Sequence, residues 1–183
     1  TNHKPGFRWL HESFGSNFRM TELQGAVGRF QLKKMPEWTQ KRNFFQDLIW
    51  KRCSDIKGIR VPKPHCGGCS KDSCKVKNGC VHGAYKAYVF VEEQMLHHEW
   101  TRDKIINEIE KDGIPCFHGS CSEVYLEKAF HDKAYCPESR LPVAKLLGET
   151  SLCFLIHPTL TEDHINQTCQ SLENVMKMAT GCS

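Results

Sequence analysis

Two groups of residues in this 183-residue chain have the types and spacing to do chemistry. The first is Cys66, Cys69, Cys74 and Cys80, spaced C-x2-C-x4-C-x5-C, flanked by His65 and His82 and threaded with Gly67, Gly68 and Gly79. Four soft ligands on a glycine-bearing loop of this length can close a tetrahedral zinc site, with the thiols deprotonated by the metal itself. Such a zinc is structural, because four thiolates leave no open position for water. Only the first pair has knuckle separation, and free thiols on an insertion or disulfides formed after isolation fit the same spacing. The second group is Asn17 and Arg19, side-chain donors just ahead of a helix start. Uncapped N–H groups and the positive end of the helix macrodipole favour an anion there. A turn asparagine beside a solvated arginine is the plainer reading of the same pair. His82, Tyr85, His118 and His157 are further candidates for substrate contact. A histidine beside a strand end is more often structural, and His157-Pro158 suits a turn.

The elements that must position these residues are legible in outline. Thr21 and Gln24 have capping-box spacing, in which the threonine hydroxyl and the glutamine side chain each satisfy the other residue's N–H. Leu23, Ala26, Val27 and Phe30 follow at helical spacing, which predicts a helix pressed against a body. It is expected to run from Glu22 to Met35, with Pro36 opening a second helical segment from Glu37 to Cys53. After Gly58 an extended lead with Pro62 and Pro64 reaches the cysteine-rich loop of residues 65–82. Strands are expected over Ala84–Val91, Ile114–Phe117 and Thr150–Ile156, where aromatic and β-branched residues concentrate. Thr101 caps a helix with Ile105, Ile106 and Ile109 inward, and Gly113 ends it. Glu123–Phe130 and Ser139–Leu147 read as short helices, the second ended by Gly148. Thr161 caps a last helix with Ile165, Cys169, Leu172, Val175 and Met176 on one face. Such alternation favours an α/β sandwich with a small sheet covered by helices, and pattern alone leaves the strand directions open.

Composition excludes several classes. With 39% apolar and 25% charged residues the chain is ordinarily globular, and a formal charge of +4 without like-charge blocks demands neither nucleic acid nor an acidic membrane. No apolar run reaches the roughly 20 residues of a membrane helix and no signal-peptide pattern opens the chain, so a soluble, cytoplasmic protein is expected. Eleven cysteines cannot all pair internally, and the seven outside the cluster (Cys53, Cys116, Cys121, Cys136, Cys153, Cys169 and Cys182) read as small buried hydrophobes. Thr1-Asn2-His3-Lys4 opens partway through a connection, which suggests a C-terminal fragment.

The stretch FGSNFRMTELQGAVGRFQLKKM (residues 14–35) resembles the G-x-N-x-R-M-x-x-L-Q-A-A-x-G-x-x-Q-L signature of DegT-type (StrS-like) sugar aminotransferases. Gly15, Asn17, Arg19, Met20, Leu23, Gln24, Ala26, Gly28, Gln31 and Leu32 match in register, and Gly25 stands where the family usually has alanine. HGAYKAYVFV (82–91), RDKIINEIEKDGI (102–114) and CPESRLPVAKLLGETSLCFLIHPTLTEDHI (136–165) are similar to later family landmarks, in the same order. His118-Gly119-Ser120 departs from the family's P-x-H segment.

The resemblance implies a fold type I aminotransferase-like α/β architecture. Residues 1–58 would be the end of the large domain with long linking helices, and residues 59–183 a small C-terminal domain with an antiparallel or mixed sheet. It further implies pyridoxal 5'-phosphate as cofactor, a nucleotide-linked keto sugar as substrate, glutamate as amino donor and a homodimer. Asn17 would bind the coenzyme phosphate of the other subunit. No lysine here sits in the family's catalytic context, so the segment is expected not to transaminate alone, and Arg19 has a competing role as a loop brace. The rival expectation is a zinc-stabilised cysteine-loop binding module, with Lys71, Lys75 and Lys77 as a small basic patch for nucleic acid.

Overall fold

A computed structural model describes residues 11–62, 81–130 and 136–181. Helix α1 (Glu22–Cys53) starts at the predicted capping box: the Gln24 N–H donates to Thr21 Oγ1 at 3.3 Å and the Thr21 N–H donates to Gln24 Oε1 at 2.9 Å. It continues unbroken through Pro36, where two helical segments were expected. An interior proline removes one hydrogen bond and crowds the carbonyl a turn earlier, a cost of about 3 kcal/mol. Good helix sequence on both sides nevertheless carries this 32-residue helix across it.

Only the second half of α1 meets a body. Phe45, Ile49 and Cys53 recur every fourth residue and are buried, whereas Leu23, Val27 and Phe30 are 76%, 50% and 68% exposed. The expectation that the Leu23 face presses against the rest of the fold is therefore corrected for the described residues: the first half of the helix projects past the core.

The sheet contains β1 (Ile59–Arg60), β2 (Lys86–Val91), β3 (Cys116–Phe117) and β4 (Ser151–Leu155), ordered β1-β2-β4-β3 with every pairing antiparallel. Alternation along β2 turns Ala87, Val89 and Val91 to the core, and Leu152 and Phe154 of β4 join them. Helices α2 (Arg102–Lys111) and α4 (Glu162–Thr180) cover that core together with the end of α1. Their inward residues are the predicted ones: Ile105, Ile106 and Ile109 from α2, and Ile165, Cys169, Leu172, Val175 and Met176 from α4. Thr101 and Thr161 cap them as expected, and Gly113 leaves α2 at φ 79°.

Two predicted short helices come out differently. Helix α3 spans Pro142–Thr150, and Gly148 lies inside it. A Cβ at Gly148 would sit 2.0 Å from Ser122 Oγ, so the glycine is required by close approach of a loop and does not end the helix. Residues 123–130 form two single 3-10 turns, Val124–Leu126 and Lys128–Phe130, interrupted by Glu127 in extended conformation. The interruption coincides with the inward turn of the Glu127 side chain, whose contacts are described below.

The predicted lone cysteines divide: Cys53, Cys116, Cys153 and Cys169 are buried and Cys121 and Cys136 half-buried, while Cys182 lies outside the described residues. Burial pushes the Cys116 and Cys153 thiols up from their ordinary range, so they are poor nucleophiles. In urea unfolding of this chain, Leu172→Ala should cost about 2–5 kcal/mol, as for a full core truncation. Leu23→Ala should change stability by less than about 0.5 kcal/mol. A comparable loss for both would show that the first half of α1 is packed after all.

Candidate functional site

The loop before α1 is shaped by Asn17 itself. Its Oδ1 accepts the Arg19 N–H at 3.2 Å, closing a side-chain turn. That bond fixes which amide atom faces the backbone and turns the Nδ2 donors away from it. Asn17 and Arg19 are both exposed. The helix start offers an anion less than the sequence suggests, because the capping box uses two donors and Glu22 adds an acid to the first turn. The asparagine amide is therefore the principal polar feature that the loop presents.

Upstream, residues 11–14 are fastened to the turns at 127–130. The His11 N–H donates to Glu127 Oε2 at 2.7 Å, and the Ala129 N–H donates to the His11 carbonyl at 3.0 Å. His11 Nδ1 also lies 3.2 Å from Glu127 Oε2, and the Phe14 ring stands edge-on to Phe130 with centroids 5.0 Å apart. Lys128 Nζ reaches Glu12 Oε1 at 2.5 Å, a surface pair of little energetic weight.

Those turns rest on a second buried carboxylate. Glu123, 5% exposed, accepts from Arg140 Nε at 2.8 Å and from Arg140 Nη2 in a two-pronged ion pair. The Tyr125 hydroxyl donates to Glu123 Oε1 at 2.7 Å and accepts the Leu141 N–H at 2.9 Å, tying the turns to the approach of α3. Hydrogen bonds from the Arg140 guanidinium, foremost among the causes, hold the Glu123 carboxyl below its ordinary value of 4.5.

The other candidates are engaged within their own neighbourhoods. His82 Nδ1 accepts the Ala84 N–H at 2.9 Å, and its carbonyl accepts from Asn43 Nδ2 at 2.8 Å, so it shapes the turn in which Ala84 takes φ 44°. His118 Nε2 lies 3.2 Å from Asp103 Oδ1, and its carbonyl accepts the Ser151 hydroxyl at 2.6 Å. His157 Nδ1 meets Thr159 Oγ1 at 2.9 Å in the expected turn. Tyr85 is 80% exposed. Cys66, Cys69, Cys74 and Cys80 lie outside the described residues, as do His65 and the three loop lysines. Among the described residues no group of three or more side chains is placed to hold a metal.

Glu123, Glu127, Arg140 and His11 escaped sequence reasoning. Two glutamates four apart look like the solvated face of a short helix, and nothing local distinguishes a buried carboxylate from an exposed one.

The match to the DegT/DnrJ/EryC1/StrS aminotransferase family runs over residues 2–173, and the chain belongs to that family. It is 26% identical over 167 residues to the erythromycin biosynthesis sensory transduction protein EryC1 of Saccharopolyspora erythraea, covering 90% of this chain and 40% of that protein. It is 24% identical over 175 residues to GDP-perosamine synthase of Caulobacter vibrioides, covering 94% of this chain and 42% of the relative. The X-ray structure of an aminotransferase from Psychrobacter cryohalolentis matches with a TM-score of 0.76 and 51% identity, over 98% of this chain and 44% of that one. The chain thus spans less than half the length of these relatives. Because the family match passes through the cysteine-rich loop, a stand-alone binding module built around that loop is not favoured.

No described helix is long and apolar enough to cross a membrane. A carboxylate with a lowered folded pKa stabilises the fold above its unfolded value, and that stability is lost as pH falls through the folded value. Arg140→Gln should therefore melt at lower temperature than the parent at neutral pH, and the two melting curves should converge as pH drops below 4.5. Parallel curves would mean that the Glu123–Arg140 pair does not carry the acid sensitivity.

Proposed function

We propose that this chain is the C-terminal region of a pyridoxal-phosphate-dependent aminotransferase acting on a nucleotide-linked keto sugar. In this reading the protein works as a homodimer and Asn17 binds the coenzyme phosphate of the other subunit. The single observation that carries the proposal is the Asn17 turn, which commits Oδ1 to the Arg19 N–H and leaves Nδ2 to donate outward. The donor set fits a phosphate: a neutral amide can give N–H groups to a dianion without itself changing charge. Family membership and 51% identity to an aminotransferase support the reaction class. The nucleotide-linked sugar is supported by the relative named as GDP-perosamine synthase.

Pyridoxal phosphate, when bound, supplies the electron sink that amino transfer requires. The work assigned to this chain is binding and orientation. Asn17 holds the phosphate from an exposed loop, and the capping box fixes where α1 begins behind it. The exposed Leu23, Val27 and Phe30 face suits burial against another folded body, as a dimer contact or a large domain would provide. Residues 1–58 are read as the end of that large domain with its linking helix, and residues 59–183 as the small domain. Glutamate as the amino donor follows from the family resemblance alone. By the same resemblance no lysine here sits in the family's catalytic sequence context, so activity is assigned to the longer polypeptide.

In that polypeptide, Asn17→Ala should weaken pyridoxal-phosphate affinity roughly ten- to a hundredfold, the worth of one hydrogen bond to a charged group. Coenzyme absorbance titration measures it. Unchanged affinity would remove Asn17 from the cofactor site.

A further inference from the structure

The Asn17 loop is fastened at two ends, and only one fastening is the helix cap. We infer that Glu127 is a positioning residue for the coenzyme-phosphate contact: its buried carboxylate grips His11 and so fixes where the Asn17 amide is presented. The inference rests on the reading of Asn17 given above.

Glu127 is 3% exposed, and a carboxylate so placed must find donors or raise its free energy steeply. Oε2 takes the His11 N–H at 2.7 Å with the His11 imidazole 3.2 Å away, and Oε1 takes the Cys121 thiol at 3.6 Å. The Ala129 N–H closes on the His11 carbonyl at 3.0 Å, so both backbone polar groups of His11 are held by the same turn. His11 itself is exposed, with its side chain 74% accessible. Apolar burial of His11 therefore does not hold this segment down; the hydrogen bonds and the Phe14–Phe130 edge contact do. From Phe14 to the capping box at Thr21 the chain crosses only residues 15–20, with Asn17 among them. A span that short, pinned at both ends, has few conformations. Released at one end it has many, and the amide spends less time where a phosphate would meet it.

Two variants test this. Glu127→Gln leaves an amide that can accept at one oxygen only, where the carboxylate accepts from His11 at Oε2 and from Cys121 at Oε1. Phe14→Ala weakens the same fastening from the surface and remains informative should the first variant fold poorly. In this chain, amide hydrogen exchange at His11, Arg19 and Ala129 should accelerate by about tenfold or more, while α4 stays protected. In the longer polypeptide, Glu127→Gln should weaken pyridoxal-phosphate binding by roughly three- to thirtyfold, and should add nothing in an Asn17→Ala background. Unchanged exchange at His11 and Arg19 overturns the clamp. A full loss of affinity in the Asn17→Ala background also overturns it, since Glu127 would then act through general stability. Asn17→Ala with unaltered coenzyme affinity overturns the functional reading, and with it this role for Glu127. Accelerated exchange in Glu127→Gln separates that result from failure of the clamp itself.

Discussion

A carboxylate taken out of water must be met by donors, and in this protein that requirement organises the surface on which the candidate site stands. Glu127 draws in the backbone of His11, and Glu123 draws in Arg140 and Tyr125. The two lie four residues apart in a segment that cannot be one continuous helix, because Glu127 breaks it to turn inward. A chain of contacts results: the approach to α3 supports the turns, the turns hold His11 and Phe14, and those residues set the start of the loop that carries Asn17. Apart from the Phe14–Phe130 edge contact the links are hydrogen bonds and ion pairs, which are specific in direction in a way that hydrophobic contact is not.

The core does different work. The β2–β4 pair and the apolar faces of α2, α4 and late α1 form one cluster that needs no polar group to define it. Burial pushes the thiols of Cys116 in that cluster and of Cys153 outside it up from their ordinary range, so both behave as small hydrophobes. The exposed first half of α1 shows the contrast within a single element. The helix is continuous, yet its residues are fully buried only from Phe45 onward. Local sequence makes the helix, and tertiary contact decides which part of it is core.

Legibility in the sequence followed the range of the interactions. The Thr21–Gln24 box, the Thr101 and Thr161 caps, and the inward faces of α2 and α4 are set by residues three or four apart, and all were readable. Strands β2 and β4 were readable from composition, with ends shifted by one or two residues. Two features depend on partners more than twenty residues away and were not readable: Gly148, forced by Ser122, and the break at Glu127, tied to His11. The exposure of Leu23, Val27 and Phe30 was not readable either, because helical spacing shows which face is apolar and not whether anything covers it. Continuity through Pro36 was missed for another reason, since a local cost of about 3 kcal/mol was outweighed by helix on both sides. Asn17 was singled out through family resemblance, whereas the residues that hold its loop were not.

The central claim is that Asn17 is held in place before any ligand arrives. Nitrogen-15 relaxation of the backbone amides of residues 15–20 in this chain tests it most directly. The account predicts order parameters near about 0.8, close to those of the helices; values under about 0.6 would describe a loose loop and contradict it.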